Sequence, residues 1–598
     1  MARSDFVHLH THTEYSMLDG AASNERLFAE VARQGMPAVA MTDHGNMFGA
    51  YEFFQIAKKY DGNENPLVKP IIGIEAYVAP SSRHSRKQEF WGRRRGDGGD
   101  PDVEGGKDVS GGGRYTHMTM WAKNPTGLHN LFTLSSLASY EGYYMKPRMD
   151  REIISQYNEG VIASTGCPSG EVQTRLRLGQ FDEAVETAGA YQEIFGKDHY
   201  FCELMDHGVP IERQVRSDLL RLAKKIDAPL LLTNDSHYVN EDDADAHDSL
   251  LCVGVGRNKD DPNRFRFNGS GYYIKSSDEM RSLFPDMPEA ADNTLTLTEM
   301  IESYDDVFAH VDRMPQFDVP EGETQESWLR KKIAEGLDEK YGSNPPQEVL
   351  DRIDKELSVI EPLGFSSYFL VVSDICNSAR AMGVPVGPGR GSAAGSMVAY
   401  LTGIIQVNPL EHGLLFERFL NPERVNPPDI DLDFDDRQRD KVIDYVTRKY
   451  GAEYTSQVNT FGKIKAKAAV KDANRILGYP FALGDKITKA MPPDVMGKGM
   501  PLSKIFDPEH PRYAEGTEFR QLVADNPDVA KVVDTARGLE GLIRGTGVHA
   551  CAFILSSAPL LDLVPMHRRD KDGMIIAGFA YPQLEEMGLM KMDFLGLR

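Results

Sequence analysis

Long apolar runs are missing from this 598-residue sequence: no segment approaches the roughly 18 consecutive apolar residues of a membrane-spanning helix. The first residues, Met1–Phe6, also lack the apolar core of a secretory signal. Cysteine is scarce, since the five present are odd in number and widely separated, which excludes a disulfide framework and favours a reducing compartment. We therefore expect a cytoplasmic protein with no membrane partner.

Positive charge is also in short supply. The sequence carries 67 Lys and Arg against 90 Asp and Glu, a formal charge of −23, which excludes a chain that coats nucleic acid by bulk charge. Hydrophobic residues make up 41% and charged residues 26%, as in globular and not in disordered proteins. At roughly 150 residues per domain, the length predicts about four domains.

Short apolar runs alternate with amphipathic helical segments up to about residue 285. Helices are predicted at Asn24–Gln34, Phe181–Phe195 and Ile211–Ile226. Strands are predicted at Phe6–His10, Pro37–Thr42, Pro70–Val78, Tyr115–Trp121, Gly160–Ser164, His199–Leu204 and Pro229–Leu232. Repeated strand–helix units indicate a mainly parallel sheet, either open or closed into a barrel.

Metal-binding side chains accompany these strands one after another. His8, His10 and His12 alternate, so they share one face of a strand. Further candidates come with later strands: Asp19, His44, Glu75, His117, Cys167, Asp235 and His237. In α/β barrels the carboxyl ends of the strands meet at one mouth, so these side chains can converge there. The mixture of ligands suits zinc, manganese or iron better than calcium, and their number suits two or three ions.

At these residues the sequence resembles the polymerase-and-histidinol-phosphatase (PHP) superfamily, whose fold is a distorted β/α barrel with a trinuclear metal site. The resemblance implies nine metal ligands: His10, His12, Asp19, His44, Glu75, His117, Cys167, Asp235 and His237. It leaves His8 outside the site as a structural histidine. Because all nine positions carry ligating residues, the resemblance implies bound Zn²⁺ or Mn²⁺, up to three ions, and hydrolysis.

An aspartate-rich strand is predicted near residue 430. In Pro428–Phe434 the carboxylates of Asp429, Asp431 and Asp433 alternate with apolar residues, so they point to one face. Three carboxylates on one face repel one another unless cations neutralise them, and two Mg²⁺ ions held in this way carry out phosphoryl transfer. A solvated edge strand or a calcium-binding loop is the alternative.

Two other segments have phosphate-binding character. Gly387–Ser396 is rich in glycine, which lets backbone N–H groups approach a phosphate, and Arg390 adds a guanidinium; it is not a Walker loop. The second segment is basic and contains Lys463, Lys465, Lys467, Lys471 and Arg475. Lys463, Lys467 and Lys471 recur at intervals of four, which predicts a helical stripe suited to a nucleic-acid backbone. A structural turn and a solvated lysine face are the alternatives.

Together with the carboxyl-terminal Lys591–Arg598, these segments resemble the family of bacterial DNA polymerase III alpha subunits. The complete metal set, with Met205–Gly208 and Thr165–Leu178, resembles the actinobacterial members of that family. The resemblance implies a catalytic triad of Asp431, Asp433 and Asp593 with two Mg²⁺ ions. Nucleotide phosphates would bind Arg390, Gly391, Ser392 and Lys591, and DNA would bind Lys463, Lys465, Lys467, Lys471, Arg475 and Arg544. The implied fold is a multidomain α/β chain, in which the distorted β/α barrel precedes a mixed α+β palm with an inserted helical thumb.

The expected domains are the PHP domain at 1–285, the palm at 286–462 and 541–598, and the thumb at 463–540. The expected function is a replicative DNA polymerase that adds deoxynucleotides to a primer 3′ end and proofreads with a 3′–5′ exonuclease in the PHP domain. Its partners would be primer–template DNA and deoxynucleoside triphosphates, and in the full-length protein the sliding clamp and clamp loader. Because family members continue past the third aspartate into the fingers, an amino-terminal fragment without processive synthesis is expected.

Two alternatives remain open for the barrel. It can be a small-molecule phosphatase of the histidinol phosphatase kind, which leaves residues 387–598 without an explanation. It can also be a non-catalytic, metal-stabilised docking scaffold for a separate proofreading subunit.

Overall fold

The computed structural model describes residues 4–92, 109–269, 271–421 and 430–597. Asp429 of the predicted aspartate strand lies outside the described residues. The chain forms two compact units: one comprises Met1–Val307, Phe461–Gly547 and Pro565–Arg568, the other Phe308–Thr460, Val548–Val564 and Arg569–Arg598. Among the described residues, no helix combines the length and the apolar character needed to cross a membrane.

Strands in the first part of the chain form a single sheet. They are β1 Ala38–His44, β2 Lys69–Val78, β3 Thr116–Ala122, β4 Arg148–Met149, β5 Val161–Ser164, β6 Tyr200–Leu204 and β7 Leu230–Leu232. They pair in the order β1-β2-β3-β5-β6-β7, with β4 on β2. The β1–β2, β5–β6 and β6–β7 pairs are parallel, as predicted, whereas β3 is antiparallel to both β2 and β5.

The segment around residues 8–13 joins the two edges of this sheet. His8 bridges to Val39 of β1, and Thr11 bridges to Ser236 just after β7. The N–H of Ala40 donates to the carbonyl of His8, and the N–H of Ser236 donates to the carbonyl of His10. The prediction of a regular strand at Phe6–His10 is therefore wrong, because its hydrogen bonds are divided between two edges. The result is a curled, barrel-like sheet.

Helices surround this sheet. The bounds are Asn24–Arg33, Ala50–Ala57, Ser110–Gly113, Pro125–Tyr140, Arg151–Gln156, Glu171–Arg177, Phe181–Phe195, Pro210–Ile226, Ala244–Val255, Ser277–Leu283 and Pro288–Met300, with 3-10 turns at Lys197–His199 and Glu241–Asp243. The helices predicted from periodicity near residues 24, 181 and 211 are confirmed. Asn24–Arg33 begins at an N-cap, since the Ser23 side chain accepts from the N–H of Arg26, and it buries Leu27, Phe28 and Val31.

The first unit also contains a helical insertion. Its helices are Ala466–Ile476, Phe481–Ala490, Leu502–Ile505, Thr517–Asp525 and Pro527–Leu539, with a 3-10 turn at Tyr513–Gly516. Ala466–Ile476 is amphipathic and buries Val470 and Ile476 in the core that holds the insertion together. That core is continuous with Leu250 and Cys252 of the helix Ala244–Val255, so apolar contacts fix the insertion within the unit.

The later strands are β8 Asp431–Asp435, β9 Thr455–Lys463, β10 Ile543–Leu555, β11 Met566–Arg568, β12 Ile575–Ala580 and β13 Met590–Leu597. In the second unit β12, β9, β10, β13 and β8 are neighbours in that order, and β13 runs parallel to β8. The helices are Gln325–Tyr341, Gln347–Ile360, Ser366–Ala381, Met397–Leu401, Arg439–Tyr450 and Tyr581–Glu586, with 3-10 turns at Ser392–Gly395, Phe416–Arg418, Ala452–Tyr454 and Leu560–Asp562. Between the first two helices lies Pro345-Pro346, which cannot continue a helix.

Candidate metal centre and nucleotide site

The nine predicted metal ligands lie together at one end of the strands of the curled sheet. His44 ends β1, Cys167 follows β5, Asp235 and His237 follow β7, and Glu75 lies within β2. His117 is the second residue of β3 and so precedes most of that strand. His117 therefore lies near the start of its strand, within the predicted strand Tyr115–Trp121. Because β3 runs antiparallel to β2 and β5, it begins at the end of the sheet where those two strands finish.

The Glu75 carboxylate lies at the centre of the cluster. Its Oε2 is 2.7 Å from His44 Nδ1 and 3.5 Å from His12 Nε2. Its Oε1 is 3.1 Å from His117 Nδ1 and 3.5 Å from His10 Nε2. One buried carboxylate thus faces four imidazoles, an arrangement in which it can bridge metal ions.

The other ligands complete the cluster. Asp235 Oδ1 lies 3.1 Å from His12 Nε2 and 3.4 Å from His10 Nε2, and Asp19 Oδ2 lies 2.9 Å from His44 Nε2. The His237 ring stacks on the His12 ring with centroids 4.2 Å apart. Cys167 Sγ is 3.6 Å from His117 Nδ1.

Three groups among the described residues have ligand atoms within 4.8 Å of one another: His12, His44 and His237; His10, His12 and Glu75; and His44, Glu75 and His117. The donor set also leaves buried atoms without a hydrogen-bond partner: Asp19 Oδ1, His44 Nδ1, both Glu75 carboxylate oxygens, Asp235 Oδ1 and His237 Nε2. Leaving such groups buried and unpaired is costly, and coordination to cations removes that cost. The residues therefore fit a metal centre.

The electrostatics of the cluster show what binding a metal would require. Burial opposes the charged form of His44, but Glu75 and Asp19 outweigh it and raise the pKa of His44 to about 10. Burial likewise opposes ionisation of Glu75, yet His117 and His44 hold its pKa well below the usual range. Burial, followed by Glu75 and Asp235, raises the pKa of the Cys167 thiol well above its usual range. Metal binding would therefore release protons from His44 and from Cys167.

Sequence reasoning missed Glu203. This buried carboxylate in β6 places Oε1 2.6 Å from His10 Nδ1 and accepts a 2.7 Å hydrogen bond from Thr233 Oγ1. The signal was an acidic residue inside the apolar run Tyr200–Leu204.

His8 was expected outside the site, and its Nε2 is bound at 2.8 Å to the carbonyl of Lys275.

In the second unit, β8 and β13 bring the three predicted catalytic aspartates together. Their parallel register pairs Asp593 with Asp431 and Leu595 with Asp433. Leu432 and Phe434, which alternate with these aspartates, are buried in the core as predicted. Asp593 Oδ1 is buried without a hydrogen-bond partner, and Lys591 Nζ lies 2.8 Å from Asp593 Oδ2. An oxygen of this kind is available to a cation.

The glycine-rich turn packs against the same carboxylates. The N–H of Gly387 donates to the carbonyl of Asp433 at 2.8 Å, and a Cβ at Gly387 would lie 2.7 Å from the Asp433 Cβ. Arg390 Nη2 is 3.3 Å from Asp431 Oδ2, and its Nε is 3.3 Å from Asp433 Oδ1. Gly391 has φ +66°, which disfavours a side chain, and the exposed Ser392 then begins a 3-10 turn. Glycine thus allows the turn to approach the aspartates closely.

Comparisons with known proteins give two family matches. Residues 8–207 match the PHP domain family, and residues 327–596 match the bacterial DNA polymerase III alpha NTPase domain family. Similar curated proteins are the DNA polymerase III alpha subunits of Saccharopolyspora erythraea (58% identical over 99% of this chain and 49% of the relative) and Mycobacterium tuberculosis (55% over 100% and 50%). That of Thermus aquaticus is 39% identical over 99% of this chain and 51% of the relative. Over its whole length the chain is therefore similar to DNA polymerase III alpha subunits.

The chain spans about half the length of these family relatives. The two family matches assign a PHP domain to the first part of the chain and a DNA polymerase III alpha NTPase domain to the later part. The PHP match together with the His and Glu groups described above supports metal binding at the curled sheet.

Five of the six basic residues expected to contact DNA, all except Lys465, face carboxylates within the chain. Nζ of Lys467 is 2.8 Å from Asp494, and that of Lys471 is 3.2 Å from Asp485. Other such pairs are Lys463–Glu14, Arg475–Asp472 and Arg544–Asp472. The prediction of one helical stripe is wrong for Lys463, which ends β9, and Lys465 precedes the helix Ala466–Ile476 as its N-cap. The DNA-binding role of all six residues remains a prediction.

Proposed function

We propose that the chain is the catalytic part of a replicative DNA polymerase that adds deoxynucleotides to a primer 3′ end and removes mispaired ends with its own 3′–5′ exonuclease. The proposed substrates are deoxynucleoside triphosphates and primer–template DNA. The proposed domains are 1–285 for the exonuclease, 286–462 and 541–598 for the palm, and 463–540 for the thumb; sliding clamp and clamp loader are partners proposed for the full-length protein.

The convergence of nine ligating side chains around Glu75 supports the exonuclease. Bound at these residues, Zn²⁺ or Mn²⁺, up to three ions, would supply Lewis-acid activation of water and of a phosphodiester. The chain's own contribution is to orient the ligands. Glu203 holds His10 Nδ1, which leaves His10 Nε2 facing the cluster, and Ser16 Oγ lies 2.9 Å from His12 Nδ1. An intact ligand set favours catalysis over a scaffold.

The juxtaposition of Asp431, Asp433 and Asp593 supports the polymerase. These residues would hold two Mg²⁺ ions, and ions bound there would supply activation of a primer hydroxyl and charge stabilisation for a leaving pyrophosphate. Arg390, close to two of the aspartates and still 47% exposed, would bind the triphosphate, and backbone N–H groups near Gly391 and Ser392 would add donors. Lys591 would add a further cation beside Asp593.

The exonuclease is tested by incubating the chain with a 5′-labelled single strand, with and without a chelator. Stepwise shortening from the 3′ end that is lost with the chelator is the expected result. Release of phosphate from histidinol phosphate without DNA cleavage would favour the phosphatase alternative. A chelator-sensitive melting temperature without any nuclease activity would favour the scaffold alternative. The polymerase is tested by primer extension with the full-length protein.

A further inference from the structure

A short loop beside the metal ligands carries aromatic, apolar and basic side chains outward. This mouth loop, Gly142–Pro147, has the sequence Gly-Tyr-Tyr-Met-Lys-Pro and is followed by Arg148. Tyr143 is 39% exposed and Met145 is 66% exposed. Met145 has φ +66°, a left-handed conformation that a non-glycine residue adopts at a cost. The surrounding structure must therefore enforce this turn.

Arg148 is the residue that enforces the turn. It is fully buried, and its guanidinium donates to the carbonyls of Gly142 and Arg114, each at 3.0 Å, and to those of Arg83 and Ser85 at 3.1 and 2.6 Å. The Arg148 and Arg114 guanidinium carbons lie 5.1 and 5.5 Å from the centre of the Tyr144 ring. These contacts restrain the loop, so the loop itself would lose less conformational entropy when a ligand binds there.

Two tyrosines connect the mouth loop to the metal ligands. Lys146 Nζ lies 5.2 Å from the centre of the Tyr77 ring, and that ring stacks on His44 with centroids 5.9 Å apart. Tyr115 stacks on His117 with centroids 5.7 Å apart and contacts Tyr77 edge-on at 4.8 Å. In the register of β2 with β3, Tyr77 is the partner of His117. The loop is therefore next to the metal centre.

The charge of this region differs from that of the whole chain. The mouth loop, residues 142–147, contains the exposed Lys146 and no acidic residue, in a chain whose formal charge is −23. Aromatic rings beside cations form the kind of platform on which proteins bind single-stranded nucleic acid, because every unpaired base has a face that can stack. A paired base in a duplex has no free face except at the end.

We propose that the mouth loop, through Tyr143 and Lys146, binds the unpaired 3′ end of a DNA strand and delivers it to the metal centre. Tyr143 would stack on a base, and Lys146 would contact a phosphate. The inference rests on the proposed exonuclease for its substrate, but the binding of single-stranded DNA can be measured without any cleavage.

The test measures binding of a 5′-fluorescein-labelled single-stranded dodecamer by anisotropy, in EDTA to prevent cleavage. Tyr143→Ala is expected to weaken binding about tenfold, within the stacking range for one base. Lys146→Ala is expected to weaken it severalfold and to reduce the salt dependence by about one counterion. Leu67→Ala and Lys197→Ala are the controls: both residues are exposed, and they precede β2 and β6, at the end of those strands away from the metal ligands. Unchanged thermal melting and metal content of the variants, the latter measured without chelator, exclude a folding defect.

If Tyr143→Ala and Lys146→Ala bind the dodecamer as tightly as the wild type and the controls do, the proposal is overturned. With metal present and a single-stranded substrate, Tyr143→Ala and Lys146→Ala should raise KM relative to the wild type about as much as they raise Kd. Their kcat should differ from that of the wild type by less than twofold. If the wild type cleaves DNA and both variants keep its KM, the mouth-loop proposal fails and the exonuclease stands. If the wild type cleaves no DNA but the variants still lose affinity, the exonuclease fails and the binding surface stands.

Discussion

Asp593 lies directly opposite Asp431 in the parallel pairing of β13 with β8. The two residues are 162 positions apart in the sequence, yet their strands place them side by side on the same sheet. Arg390 approaches Asp431 from the glycine-rich turn. The proposed polymerase function rests on this juxtaposition of two carboxylates and a guanidinium.

Asp431→Asn should lower primer extension by the full-length protein at least a hundredfold, because a neutral amide binds Mg²⁺ less well than a carboxylate. Exonuclease activity should stay within twofold of wild type. Asp435→Asn is the matched control, since Asp435 lies on the same strand and is paired with Arg437. Primer extension retained by Asp431→Asn would remove this residue from the catalytic site.

Asp19→Asn should remove exonuclease activity and leave primer extension intact, the reverse of Asp431→Asn. Asp19 Oδ2 is 2.9 Å from His44 Nε2, and Asp19 Oδ1 is buried without a partner, so it is available to a metal. We expect single-strand exonuclease activity to fall at least a hundredfold in gel assays, while nucleotide addition by the full-length protein is unchanged. Asp61→Asn, in an exposed turn, is the control. Exonuclease activity that survives in Asp19→Asn would place the activity elsewhere.

Glu203→Gln should weaken metal binding without removing a ligand. The carboxylate holds His10 Nδ1 at 2.6 Å, and loss of such an outer partner typically costs 10- to 100-fold in metal affinity. Competition with a chelator of known affinity measures the change. Glu212→Gln is the control, because Glu212 forms a similar 2.7 Å contact with His207, which is not among the predicted ligands. Equal affinities of the two variants would argue against a positioning role for Glu203.

Removal of metal should destabilise the first unit, because the two buried oxygens of Glu75 would again have no hydrogen bond and only ion pairs with the histidines. Metal at 100 times its Kd stabilises a protein by about 2.7 kcal/mol, so a chelator should lower the melting temperature by several degrees. Glu75→Gln should show a much smaller response in the same calorimetric scans. A chelator that leaves the wild-type melting temperature unchanged would contradict metal binding at this site.

Phe594→Ala should destabilise the second unit by about 3–5 kcal/mol, as deletion of a buried aromatic ring does. Phe594 is fully buried, with Phe553 and Phe434 rings at centroid distances of 5.5 Å. Leu597→Ala, on the same strand but 51% exposed, should cost less than about 0.5 kcal/mol. Denaturant unfolding checks both values, and similar losses for the two would contradict the packing described.

Much of the fold followed from local patterns. The strands near residues 38, 70, 116, 161, 200 and 230 and the helix Phe181–Phe195 were predictable, because hydrophobic periodicity reflects one buried face. Phe6–His10 was not, because its partners are the two edges of a sheet. The helical stripe of lysines was only partly predictable. Asp485 of the helix Phe481–Ala490 pairs with Lys471, and Asp494 of the loop that follows pairs with Lys467, so carboxylates distant in sequence neutralise these lysines.

Local patterns in the sequence were enough to predict the two candidate sites. The residue types and spacings of His10, His12 and Glu75 predict a metal centre, and those of Asp431 and Asp433 predict a phosphoryl-transfer site, because side-chain alternation is a local property. Three features became visible only in the folded chain: His117 joins the cluster from an antiparallel strand, Glu203 holds His10, and the mouth loop lies beside the metal ligands. Such contacts depend on strand order and direction, which are set by packing between residues distant in the chain and not by the pattern within any one segment.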